Sequence, residues 1–129
     1  MPHVATLTES DLNFGKKITE QLKTAKFPFE GTLWLYDEEA DDWQLIVASD
    51  VVDTKGPRDT YLELAKAIAN VSGSDFQRLR ITVVSPKSTL FAALRNAFAD
   101  AANEEGARRL QNTTVNGVLV SDAYLYEIK

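Results

Sequence analysis

Two short runs carry large apolar side chains at consecutive positions, TLWLY at 32–36 and WQLIVAS at 43–49, with an acidic stretch at 37–42 between them. Successive side chains of an extended chain point to opposite faces. Leu33 and Leu35 therefore share one face and Trp34 and Tyr36 the other, while Trp43, Leu45 and Val47 oppose Gln44, Ile46 and Ala48. Strands that are apolar on both sides need cover on both sides, which puts this pair at the centre of a sheet. The polar connector reads as a solvated hairpin turn, kept soluble by its charge.

The flanking segments read as follows. Thr8 is an N-cap with Asp11 in capping-box position, and Leu7 and Leu12 stand where a hydrophobic staple would place them. A helix over about 9–23 follows, with Phe14, Ile18 and Leu22 on one face, Gly15 as its weak point and Pro28 as its stop. Residues 50–56 read as a connector. Pro57 then opens a second helix, roughly 57–70, that buries Tyr61, Leu64, Ala65 and Ile68. After a break at 72–74, Leu79, Ile81 and Val83 alternate with Arg78, Arg80 and Thr82, a half-buried strand with one wet face. Ser88 caps a third helix to about Asn103, striped by Phe91, Leu94 and Phe98, which ends at 104–106. Residues 108–128 form a hairpin around Asn116 and Gly117, with Tyr124 and Tyr126 on one face of its second strand.

The order α-β-β-α-β-α-β-β predicts one α+β domain over residues 1–129, with 1–6 as a flexible tail. The expected architecture is a two-layer sandwich of three helices and a mostly antiparallel sheet of about five strands. The words LWLYD, WQLIVAS, KGPRDTY and NGVLVSDAYLYEI resemble those of a family of small bacterial proteins of unknown function, over the chain from about residue 31 onward. The resemblance implies a shared fold and carries over no activity.

A length of 129 residues suits one domain with a real core. The absence of cysteine excludes disulfides, thiolate metal sites and thiol chemistry. A net charge of -5 repels phosphate backbones, so nucleic acid is not an expected partner, although Arg78/Arg80 and Arg108/Arg109 are local basic clusters. The longest apolar runs, 45–48 and 90–94, are far too short to span a membrane. The first residues lack the layout of a signal peptide. A soluble, cytoplasmic protein is the expectation.

Candidate chemistry is sparse. The sole histidine, His3, has neither a second His nor any Cys with which to hold zinc, and no Gly-x-Ser-x-Gly elbow accompanies it. Neither phosphate-cradling glycine motif occurs. Gly56-Pro57-Arg58 opens a helix, where Lys55, Arg58 and Tyr61 would line an anion or small-molecule site. The acidic run at 37–42 lacks the spacing of a calcium loop. Asp53-Thr54-Lys55, with Asp37 or Asp50 as a second acid, matches the pattern of magnesium-dependent nucleases, in which carboxylates hold the metal and lysine aids the attacking water. Trp34, Tyr36 and Trp43 form a docking surface if the leucine face meets the helices, and core if it does not. The leading expectation is a non-catalytic binding or assembly module, a homodimer or a partner of another protein through the aromatic face or an edge strand. A sensor at 53–61 and a magnesium enzyme using Asp37, Asp53 and Lys55 are the alternatives. No cofactor is expected.

Overall fold

In a computed structural model of the chain, which describes residues 7–71, 80–98, 108–115 and 117–128, the first helix starts where the Thr8 signal puts it. In α1 (Glu9–Thr24) Thr8 Oγ1 accepts the Asp11 N–H at 3.0 Å, and Asp11 Oδ2 accepts the Thr8 N–H at 3.2 Å. The helix stops before Pro28 for a local reason. Lys26 turns to φ 58°, and the Phe27 and Lys26 N–H groups bond back to the Leu22 and Lys23 carbonyls at 2.9 and 3.1 Å. That satisfies two orphan carbonyls, and it drops Phe27 into the core beside Leu22.

Five strands follow the expected chain order: β1 (Gly31–Asp37), β2 (Asp42–Ala48), β3 (Ile81–Val84), β4 (Arg108–Val115) and β5 (Val118–Ile128). The sheet order is β3-β2-β1-β5-β4. The hairpin β1–β2 thus lies inside the sheet, as its two-sided apolar pattern requires. The α+β class holds. Three of the four strand pairings are antiparallel and β3 joins β2 in parallel, so the sheet is mixed but mostly antiparallel. The expected two-layer sandwich does not hold, because helices lie on both faces. Phe14, Ile18 and Leu22 of α1, and Leu64 of α2 (Val51–Ala67) with its C-cap Ile68, pack on Trp34, Trp43, Leu45 and Val47. On the opposite face Phe91, Ala93 and Leu94 of α3 (Thr89–Phe98) pack on Leu33, Ile46, Ala48, Ala123 and Leu125.

The second helix differs from its expected form. Residues 51–55 are helical rather than a connector; Gly56 then breaks the spiral at φ 82°, ψ 167°, and Pro57 restarts it. The inward stripe is Thr60, Leu64 and Ile68, so Ala65 is exposed and Tyr61 keeps 40% of its surface. The Tyr61 hydroxyl accepts the Val83 N–H at 2.9 Å, meeting a backbone donor on the terminal strand β3. The expected tail at 1–6, the break at 72–74, the helix end at 104–106, and His3, Arg78, Leu79 and Asn116 lie outside the described residues.

Arg80 is the largest departure from simple alternation. Expected on a wet face, it is 7% exposed, lies 4.8 Å from the Trp34 ring centroid and donates to the Trp43 carbonyl at 3.0 Å. Its Nη1 meets Asp11 Oδ1 at 3.0 Å, and its Nη2 lies 3.4 Å from Asp42 Oδ1. Beside it, Trp34 Nε1 donates both to the Asp11 carbonyl and to Tyr126 Oη, each at 3.1 Å, and Tyr126 Oη donates to the Leu12 carbonyl at 2.7 Å. The buried polar atoms of this knot thus meet partners inside the fold, as buried polar groups must.

A β-bulge brings Tyr126 to that position. Thr32 pairs with Glu127 and Leu33 with Leu125, which leaves Tyr126 as the extra residue on the α1 side. Burial, opposed in part by the hydrogen bond from Trp34, pushes its phenol well above the ordinary value of 10. A raised value in the folded state favours the neutral phenol, so this stabilisation is complete below about pH 10 and is lost as pH rises beyond it. Urea denaturation at roughly pH 9 and roughly pH 11 should show stability falling with alkali, and falling less steeply in Tyr126→Phe. Equal slopes in the two proteins would refute the assignment.

Candidate functional site

β5 has 11 residues and the described part of α3 has 10, which at about 3.3 Å and 1.5 Å per residue makes roughly 36 Å of strand against 15 Å of described helix. α3 is seated toward the Gly31 end of the sheet: a Cβ at Gly31 would lie 2.6 Å from the Phe91 ring. At the other end of the same face a cleft of about 620 Å³ stays open. Its apolar lining is Leu35 of β1, Ile46 of β2, Leu90 of α3 and Val118, Leu119 and Val120 of β5. Leu119 is 64% exposed, the most exposed large apolar side chain among the described residues.

Among the described residues the charged lining has one sign. Gln44 and Thr82 bond to each other at 3.0 Å, and the described charged side chains lining the cleft are Asp37, Glu38 and Glu39 of the β1–β2 turn. Asp37 Oδ1 holds the turn by accepting the Glu39 and Ala40 N–H groups at 3.0 and 3.3 Å. Glu38 accepts the Ser121 hydroxyl from the opposite wall. Tyr36 closes the rim: its ring packs tilted at 58° against Trp43, centroids 5.6 Å apart, and its hydroxyl donates to Asp41. That hydrogen bond, with desolvation and nearby carboxylates, pushes the Tyr36 phenol up to about 12.

Sequence-based site residues fall in three places. The interface expectation for Trp34 and Trp43 is overturned, because they are 0% and 1% exposed beneath α1 and α2. Only Tyr36 of that trio reaches a surface, at the cleft rim. Lys55, Arg58 and Tyr61 each have a place in or beside the second half of α2. Lys55 pairs with Glu63, Tyr61 binds β3, and Arg58 is exposed on the first turn after Gly56.

The metal-dependent arrangement is overturned as well. Asp37 and Asp53 flank opposite ends of β2, about 20 Å apart at the rise of a strand, far beyond a shared ion at normal oxygen distances. Asp53 Oδ2 accepts Ser85 Oγ at 2.9 Å instead. Among the described residues no group of three His, Asp or Glu side chains is placed to hold a metal.

Two of the four clustered arginines are engaged within the fold. Arg80 is buried, and Arg109 forms a two-point pair with Asp122 at 2.6 and 2.7 Å, which holds the guanidinium above its ordinary value, with its cation 5.5 Å from the Trp43 ring centroid. No family model, curated protein or solved structure matches the chain. Among the described residues no helix is long and apolar enough to cross a membrane.

The cleft was missed because the residues lining it come from five separated elements. One local signal pointed toward it. Val118, Leu119 and Val120 make the start of β5 apolar on both faces, beside a turn too acidic to cover it.

Proposed function

We propose that the protein is a non-catalytic docking module, and that the cleft beside α3 receives a segment of a partner protein. The observation that carries this reading is the open apolar floor around Leu119, at the end of the sheet face away from the contact of α3 with Gly31. Homodimerisation through the tryptophan face loses its physical basis, since both indoles are inside one subunit. A second copy placed over the cleft would set the acidic turn of a chain of net charge -5 against an equally acidic partner.

The test uses an uncharged apolar fluorophore such as Nile red. The native protein should enhance its emission, and Leu119→Asp should abolish the enhancement with stability unchanged to within about 0.5 kcal/mol. An unchanged signal in Leu119→Asp, or none in the native protein, would remove the cleft as a docking surface.

A further inference from the structure

We infer that the segment taken by the cleft is amphipathic and basic at one end, an inference that rests on the docking reading above. The floor offers only dispersion and burial, through Leu35, Leu90, Val118 and Leu119. Direction and selectivity must come from the rim, which is anionic. Five carboxylates occupy the six positions 37–42, and three of them, on Asp37, Glu38 and Glu39, line the cleft itself. Glu38 is held at the wall by Ser121, so at least one charge is fixed in place before any partner arrives.

Among the described residues no lysine, arginine or histidine lines the cleft. A lysine or arginine brought to this rim gains attraction next to apolar surface, where screening is weaker than in open water. Acidic peptides, phosphate groups and anionic lipid surfaces meet repulsion from the same carboxylates. A segment with apolar residues along one stripe and cations at the end near the turn satisfies both halves of the site.

Three designed peptides of about 14 residues separate the two readings: one apolar stripe, with lysine, glutamine or glutamate at the polar positions. Isotope-labelled protein is titrated with each and followed by amide NMR, at about 50 mM and about 300 mM salt. The lysine peptide should shift the signals of Leu35, Leu90, Leu119 and the 37–42 turn and bind about tenfold tighter than the glutamine peptide, with the gap narrowing at high salt. Glu38→Lys with Glu39→Lys should erase that gap, read as the ratio of lysine-peptide to glutamine-peptide affinity.

Equal affinity for the lysine and glutamine peptides would overturn the basic preference and leave docking intact. No cleft shift with any of the three would overturn docking itself. Co-sedimentation with phosphatidylserine vesicles, or a dimer in sedimentation velocity that Leu119→Asp dissolves, would replace the basic segment with a membrane or a second copy.

Discussion

Gly15→Ala should lower stability by about 2 kcal/mol, although alanine is the better helix former by up to about 1 kcal/mol. The reason is contact rather than propensity. A Cβ at Gly15 would lie 2.4 Å from Tyr126 Oη and 2.5 Å from Cε2, closer than such atoms come. The ring has little room to retreat, because its hydroxyl is tied to Trp34 Nε1 and to the Leu12 carbonyl. Overpacking of this kind costs roughly 1–3 kcal/mol, and a broken buried hydrogen bond adds about as much, which outweighs the gain in propensity. Thermal or urea unfolding measures the sum. In a Tyr126→Ala background the same substitution should become neutral or stabilising. If Gly15→Ala stabilises the wild-type protein, the packing of α1 against β5 described here is wrong.

Arg80→Met should cost more, about 3–5 kcal/mol, because it strands the Asp11 carboxylate in the core. Asp11 is 6% exposed, and its two oxygens face Arg80 and the Thr8 N–H. Total stability for a domain of this size is about 5–15 kcal/mol, so the loss is a large fraction of the whole. Adding Asp11→Leu to Arg80→Met should recover much of it, less about 1 kcal/mol for the lost helix cap. The double-mutant cycle, read by denaturant unfolding, keeps the result interpretable even if the single variant is barely folded. A single-variant loss under about 1 kcal/mol would mean that the pair is open to solvent.

These two residues mark the boundary of what the sequence could tell. The Thr8–Asp11 capping box spans three residues, so its partners were visible in a single window. The second role of Asp11, toward an arginine 69 positions away, was invisible in any window. Alternation placed Ile81 and Val83 correctly on one face of β3. It failed at Arg80, which precedes the strand and folds its cation over Trp34 instead of into water. Gly15 read as a flaw in a helix because its reason, Tyr126, belongs to the far end of the chain.

The hairpin at 32–49 announced its central place through two-sided hydrophobicity, yet that same symmetry hid which face the indoles take. The distribution of helices decides it: among the described residues α1 and α2 lie on the tryptophan side and α3 on the other. The cleft likewise depends on how separate elements meet in space, which no residue pattern encodes.

The position of β5 has a consequence for biosynthesis. It lies between β1 and β4 although it follows every other described element in the chain. A nascent chain leaving the ribosome therefore carries β1 with one side unpaired, and Trp34 without its Tyr126 partner, until β5 emerges. Closure of the sheet must wait for synthesis of β5, so chaperone-like shielding matters most before that strand is made.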